Sequence, residues 1–400
     1  MSLSFPPGYE LVPVAVLRAR HQRLGRMCRR LGLDGLLLTH SADTYYASGT
    51  GQQGVVLVDA DGGARVFMRR NAARATAESP LPVEPVSGLS RPAQAVLEHL
   101  EAGARLGLTL DVMGVNTWRG WQKRLSGLEL VDASAELLKL KAVKDAWELA
   151  LMARVGRLAA ELYDLAAGLM APGVNELWLA GQLMARALER GSIPLINSRG
   201  ESFVYSWHLV SGPEGATRSV IDAPFGGYGL SPAFPQGPCD KPLRPGEPII
   251  VDLGVSLQGY QTDQTRTYCL GPAPAEVRRA HDCLLAVQAA IYDHLRPGAI
   301  SGDIFDLAVA VATEHGMADG FLGTAEQRIS FVGHGVGFEL GAPPYLLRGS
   351  REVVRAGETY ALELKIVLEQ GPVGLENTVA VSEQGPPSVL SVIEDRLFEL

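Results

Sequence analysis

The stretch PIIVDLGVSLQGYQTDQTRT, residues Pro248–Thr267, has a strand, a turn and a returning strand written into it. Apolar and β-branched residues fill the first arm, Gln258-Gly259 supplies the turn, and the second arm is rich in threonine. A two-residue turn fixes the register. Leu257 then faces Tyr260, Asp252 falls opposite Thr265, and Asp263 falls opposite Gly254. Side chains alternate along a strand, so the two carboxylates share one face as diagonal neighbours. Two bare carboxylates held that close repel each other and need a cation or a shared proton.

The same reasoning applies to TYALELKIVLEQGPVGLENT, residues Thr359–Thr378. A turn at Glu369-Gln370 sets Glu363 directly across from Glu376, a second acidic pair on one face. Between the two hairpins lies FVGHGVG, residues Phe331–Gly337, where glycines flank His334 and let backbone approach closely. Four carboxylates and one neutral imidazole carry four negative charges. Two divalent metals would cancel them.

In this order the motifs resemble the pita-bread metallopeptidase family, and most of all its two-domain aminopeptidase P/prolidase branch. The resemblance rests on Asp252, Gly254, Gly259-Tyr260, Asp263 and Thr265-Arg266-Thr267, on Gly333-His334-Gly335-Val336-Gly337, and on the glutamate pair of the last hairpin. It implies an α+β fold, with a creatinase-type α/β N-terminal domain followed by a pita-bread catalytic domain whose two similar halves form a curved sheet backed by helices. It also implies the ligand set Asp252, Asp263, His334, Glu363 and Glu376 around two divalent ions. Mn²⁺ is the leading expectation, with Fe²⁺, Co²⁺ and Zn²⁺ also suited to an oxygen-rich site with one imidazole. The implied chemistry is hydrolysis by a metal-bridging hydroxide, with Glu363 relaying the proton.

The family pattern departs at substrate-side positions. It carries a histidine where this chain has Gly341, and a P-H-G where this chain has Pro235-Gln236-Gly237 or, on a gapless alignment from Ser211-Gly212, Ser219. An arginine is replaced by Gly374, and the Glu-Pro-Gly around the fourth ligand is Glu363-Leu364-Lys365. Two residues are candidates to make good the loss. Lys365 shares the strand face of Glu363 by period-2 counting, so it either anchors an anionic substrate group, pairs with a carboxylate or reaches solvent. His208 precedes the usual substrate loop and is a candidate catalytic imidazole, with a structural histidine as the alternative. Gln236 is a candidate substrate contact at the lost histidine's place. Tyr205 and Trp207 either line a pocket or belong to the core, and Arg266 is read as a brace for an acidic side chain.

Outward from these motifs, 400 residues exceed one compact domain, and two are expected, residues 1–140 and 141–400. Helix-period and strand-period segments alternate through the first: a helix over Arg18–Leu31, strands at Gly35–Thr39, Gly54–Asp59, Ala64–Met68, Leu106–Asp111 and Leu128–Asp132, and a helix over Pro92–Ala102. Leu138–Glu148 resembles the family's interdomain junction. Asp145 can cap a long helix to Met170, and helices follow at Asn175–Arg190, Ala275–Leu295 and Ser301–Gly316. The Gly- and Pro-rich stretch Gly226–Pro245 reads as a long ordered loop beside a site, or a disordered one.

Lys plus Arg is 36, Asp plus Glu 44, and the net charge −8. That balance argues against sequence-independent binding to phosphate backbones or anionic membranes. No apolar run approaches the ~18 residues of a spanning helix, and Met1–Tyr9 has neither the basic region nor the apolar core of a secretory signal. Cys28, Cys239, Cys269 and Cys283 show no metal-ligand spacing and read as free intracellular thiols. The expectation is therefore a cytoplasmic homodimer acting on a small peptide, with no nucleic-acid or membrane partner. Two other readings stand beside the peptidase: a metal-dependent hydrolase or lyase of a small non-peptide C–N substrate, and a non-catalytic binding module on the same fold.

Overall fold

The structure, a computed structural model, describes the chain apart from residues 1–4, 6, 7, 194, 201–206, 220–222 and 326. It separates into two compact units, Met1–Lys141 and Ala142–Leu400. The first contains α1 (Val14–Leu31), β1 (Gly35–Leu38), α2 (Ser41–Ser48), β2 (Gly54–Asp59), β3 (Ala64–Met68), α3 (Ala72–Glu78), β4 (Val83–Pro85), α4 (Ser90–His99), β5 (Arg105–Leu108), α5 (Val115–Arg124), β6 (Glu129–Asp132) and α6 (Ser134–Ala142). Its strands form one mixed sheet in the order β4-β3-β2-β1-β5-β6.

Both faces of that sheet are covered, which is why β1 is apolar at every position. Leu36 and Leu38 pack with Leu24 and Cys28 of α1 and Leu137 of α6. Leu37, between them in sequence, packs on the other face with Val96 of α4 and Trp121 of α5. This is the α/β layering expected of the N-terminal segment. The helices with no counterpart in the sequence reading are α2, α3, α5 and α6. In α2 most residues are buried, so no helical stripe shows, whereas α5 presents Trp118 and Trp121, three residues apart, to the core on the Leu37 face.

The second unit opens with α7 (Ala146–Leu169) and α8 (Glu176–Glu189), each begun by a side-chain cap. Asp145 accepts from the Glu148 amide while the Glu148 carboxylate accepts from the Asp145 amide, a reciprocal box that satisfies two otherwise orphaned donors. Asn175 does the same for the first turn of α8 through one side-chain oxygen. There follow β7 (Trp207–Ser211), the single turn α9 (Gly212–Gly215), β8 (Pro248–Leu257), β9 (Tyr260–Cys269), α10 (Ala275–His294) and α11 (Ser301–Glu314). The remainder is strand: β10 (Gly323–Thr324), β11 (Gln327–Arg328), β12 (Phe331–Gly335), β13 (Ala342–Leu347), β14 (Thr359–Ala361), β15 (Leu364–Leu368), β16 (Gly371–Leu375), β17 (Thr378–Ala380), β18 (Ser388–Val389) and β19 (Phe398–Glu399).

Two helix-backed sheet systems result. One is the sheet β19-β9-β8-β7, buried against α7 and α8 through Leu162, Leu183, Val251 and Leu253. The other is the sheet β13-β12-β14-β17-β18 with the hairpin β15-β16, buried against α10 and α11 through Leu284, Phe305, Ile366 and Val373. They are joined where Thr265 and Glu376 exchange backbone hydrogen bonds of 3.2 and 3.1 Å. The segment Gly226–Pro245 is irregular and ordered by its own bonds. Gly237 donates to the Gly226 carbonyl, and Gly227 lies so close to Val210 of β7 that a Cβ there would sit 2.6 Å from its side chain.

Candidate metal centre

The β8-β9 hairpin turns at Gln258-Gly259, both in the left-handed region with φ of 51° and 82°, the conformation a two-residue hairpin turn demands. A side chain at Gly259 would also strike the Phe338 ring, with its Cβ 2.5 Å away. The register that results pairs Asp252 with Thr265 and Gly254 with Asp263, and places the carboxylates as diagonal neighbours. On its other edge β8 pairs with β7, and His208 lies directly beside Asp252. The second hairpin pairs Leu368 with Gly371 and Leu364 with Leu375, so Glu363 and Glu376 leave its open end from facing positions. The Glu363 amide is fixed to the Val332 carbonyl of β12, two residues before His334.

Asp252, Asp263, His334, Glu363 and Glu376 are all buried. His334 is the geometric hub. Its Nε2 stands 3.9 Å from Asp263 Oδ2, from Glu363 Oε2 and from Glu376 Oε1. Asp263, His334 and Glu376 form a group able to hold an ion, with one ligand atom of each within 4.8 Å of the others. Ligand bonds of roughly 2.0–2.2 Å to a central cation leave donors spread up to about 4 Å apart, so the residues present fit a divalent ion. Two further observations agree. Asp263 Oδ1 and Glu376 Oε1 are buried without a hydrogen-bond partner, a costly state for a carboxylate unless a cation completes it. The His334 Nδ1 lies 3.2 Å from the Gly335 carbonyl, which holds its proton on that nitrogen and turns the Nε2 lone pair toward the carboxylates.

The electrostatics follow from burial and crowding. Burial, with Asp252 and Glu363 nearby, pushes the Asp263 carboxyl well above its usual range, and burial with Glu363 does the same to Glu376. Burial would raise Glu363 too, but Lys365 and His334 outweigh it and hold that carboxyl below its usual range. Burial depresses both His334 and His208, against the pull of Glu363 on the first and Asp252 on the second, so each is neutral at pH 7.

The structure brings His208 to this centre. Its Nδ1 faces Asp252 Oδ2 at 3.9 Å, while its Nε2 is buried without a hydrogen-bond partner. Lys365, which the sequence left as anion anchor, carboxylate partner or solvent-exposed side chain, meets three of the four acids. Its Nζ lies 2.8 Å from Asp252 Oδ2 and 3.3 Å from Glu376 Oε2, and it donates to Glu363 Oε1. Burial alone would lower the pKa of this ammonium; Asp252, Glu363 and Glu376 outweigh it and keep it charged.

Gln236 is buried on the loop 226–245, away from the ligand strands in sequence. Trp207 belongs to the core and donates to the Gly254 carbonyl at 2.9 Å. Tyr205 lies outside the described residues. Arg266 braces the fold, donating to Asp395 and to the Glu376 carbonyl at 2.8 Å each.

Sequence reasoning passed over two residues. Thr265 donates to Glu376 Oε2 at 2.8 Å, and period-2 counting from Asp263 could have placed it on the ligand face. Phe225 sets its ring 5.5 Å from Lys365 Nζ, and no local signal marks it.

The profile of Metallopeptidase family M24 matches residues 150–383, and that of the Creatinase/Prolidase N-terminal domain matches residues 20–143. The chain is 24% identical over 369 residues to the uncharacterized peptidase YqhT of Bacillus subtilis, covering 91% of this chain and 95% of that one. It is 28% identical over 265 residues to the probable dipeptidase PepE of Mycobacterium tuberculosis, covering 66% of this chain and 62% of that one. The solved Xaa-Pro dipeptidase from Bacillus anthracis shares its fold with a TM-score of 0.81 at 21% identity, over 96% of this chain and 100% of that one. The chain belongs to metallopeptidase family M24, with the α+β pita-bread fold preceded in sequence by a creatinase/prolidase N-terminal domain.

Proposed function

We propose that this enzyme is a metal-dependent peptidase of the Xaa-Pro dipeptidase/aminopeptidase kind, hydrolysing a short peptide at the centre formed by Asp252, Asp263, His334, Glu363 and Glu376. The observation that carries the reading is the convergence of three buried carboxylate oxygens on the His334 Nε2, with Glu376 Oε1 among them and Asp263 Oδ1 beside them lacking hydrogen-bond partners. A divalent cation bound there supplies Lewis acidity and makes water nucleophilic near neutral pH. Mn²⁺ is the metal to try first.

The chain's own residues divide the proton work. Glu363 accepts the proton that the attacking water gives up and returns it to the leaving amine. Its Oε1 accepts from Lys365, and its Oε2 lies on the His334 side, where the ion and its water would be. His208 presents a neutral imidazole beside Asp252 and offers Nε2 to the scissile group, the part an imidazole at the Gly341 or Gln236 position would play. Thr265 orients Glu376, and Arg266 fixes the backbone that carries it.

The departures at Gln236, Gly341 and Gly374 favour one second reading, hydrolysis of a small C–N substrate other than a proline peptide. We further propose a cytoplasmic homodimer, consistent with four free cysteines, three of them buried. The test is turnover of a Xaa-Pro di- and tripeptide panel by Mn²⁺-reconstituted protein, read by mass spectrometry, with Glu363→Ala as the blank. Cleavage before proline that disappears in the variant supports the peptidase. No cleavage by protein with bound metal overturns it in favour of the small C–N substrate.

A further inference from the structure

Glu363 and Glu376 each divide their two oxygens between two directions. Glu363 Oε2 and Glu376 Oε1 face His334 Nε2 at 3.9 Å. Glu363 Oε1 and Glu376 Oε2 face the Lys365 ammonium, as does Asp252 Oδ2. This is the pattern of carboxylates bridging two cation positions, and the chain itself fills one of them.

The lysine has a built place. It is buried on β15, directly across from Gly374 on β16. A Cβ at position 374 would lie 3.4 Å from Lys365 Cγ and 2.7 Å from Thr265 Cγ2, so a larger residue there would press on the lysine stem. The Phe225 ring covers the ammonium at 5.5 Å. At these two facing positions the family pattern has glycine and arginine, and this chain has lysine and glycine. A second metal would need the same oxygens of Asp252 and Glu376 that the ammonium holds at 2.8 and 3.3 Å, and would meet a like charge at contact distance. The residues present therefore fit one ion and not two.

We propose that the centre is mononuclear: one divalent ion is held by Asp263, His334, Glu363 and Glu376, and the Lys365 ammonium permanently occupies the second cation position beside Asp252. The proposal rests on the metal-dependent reading above and replaces the expectation of two ions drawn from the ligand motifs. That expectation counted four carboxylates and one imidazole and left the lysine out.

The experiment is metal stoichiometry, independent of turnover. Wild-type protein, Lys365→Met and Lys365→Gly are reconstituted with Mn²⁺, dialysed, and measured by inductively coupled plasma mass spectrometry and electron paramagnetic resonance. Circular dichroism of each sample establishes that it is folded. Lys365→Met leaves three carboxylates without their ammonium, so Lys365→Gly refolded with Mn²⁺ present serves as the second variant.

The expected result is one ion per wild-type chain, with the hyperfine pattern of isolated Mn²⁺, and a doubling to two exchange-coupled ions in a folded variant. Two ions in wild type overturn the proposal, as does a single ion in both wild type and the folded variants. Wild type that binds none overturns it together with the metallohydrolase reading. One ion rising to two in a protein that cleaves no proline peptide upholds the mononuclear centre and overturns only the proposed substrate.

Discussion

Arg266 is the residue on which the two halves of the centre depend, and its replacement by lysine tests that. The guanidinium is fully buried and donates to the carbonyls of Thr265 and Glu376 at 2.8 Å, and to those of Glu394 and Ile393 at 2.9 Å. It also donates to Asn377 Oδ1 at 2.7 Å and Asp395 Oδ1 at 2.8 Å. A lysine ammonium offers three donors from one point against five in a fixed plane. It can retain Asp395 and at most two other partners.

The Thr265 and Glu376 carbonyls keep each other's amides, so the acceptors left bare come from Glu394, Ile393 and Asn377. Each bare buried acceptor costs about 1–3 kcal/mol, and breaking a buried charged network costs about 3–5 kcal/mol. Arg266→Lys is accordingly expected to destabilise the catalytic unit by about 3–5 kcal/mol, a melting temperature roughly 6–20 °C lower at the ~2–4 °C per kcal/mol of a unit this size. Thermal melts by circular dichroism, run with excess Mn²⁺, read the shift. A loss under ~2 °C would show that the bonds around Arg266 are replaceable and that the brace is not what holds the Glu376 strand to β9.

Three further outcomes are expected. In Gly156→Ala the new Cβ would fall 1.9 Å from the Leu390 carbonyl, so α7 or the C-terminal segment must move; a loss of about 1–3 kcal/mol is expected despite alanine's better helix propensity, and an unchanged denaturation midpoint refutes it. Chelation should lower the melting temperature of Mn²⁺-loaded protein by roughly 5–11 °C when the ion was at ~100 times its Kd, and an unmoved transition would mean no ion contributes to the fold. Burial, with Arg266 reinforcing it against Asp282 and Asp395, lowers His281 to about 4; the unfolded state takes up a proton that the native state refuses, so stability present above pH 6.5 is lost as pH falls toward 4. His281→Phe should lose less stability than wild type between pH 7 and pH 4, and parallel losses would remove His281 as the cause.

What the sequence made legible was local. Both hairpin registers followed from two-residue turns, because such a turn leaves the flanking strands no choice of partner. The starts of α7 and α8 followed from Asp145 and Asn175, whose capping chemistry acts within one turn. Opaque positions were those whose meaning lies in a distant partner. Period-2 counting placed Lys365 on the face of Glu363, yet its bond to Asp252 spans 113 positions and belongs to the meeting of two hairpins. His208 could be suspected, but its place beside Asp252 depends on β7 joining the edge of β8. The helix α2 escaped because burial of Ala42, Thr44, Tyr46 and Ser48 leaves no polar face to set a period.

The lysine also bears on how the centre tolerates the loss of its metal. Four carboxylates packed around one imidazole with no cation would repel one another strongly, and a chain relying on metal alone to neutralise them would fold only as fast as metal was supplied. An ammonium attached to β15 cannot dissociate. It offsets one carboxylate charge and contacts Asp252, Glu363 and Glu376. What it cannot supply is Lewis acidity, since an ammonium offers hydrogen bonds and charge but no open coordination position. On the mononuclear reading proposed above, the chemistry would fall on the His334 side of the site, with Asp252 and His208 on the lysine side. The exchange of Gly374 for the arginine of the family pattern, directly across the hairpin from Lys365, belongs to the same change. The Lys365 ammonium stands between the acids, and Gly374, which faces it across the hairpin, leaves its stem room that a Cβ would narrow.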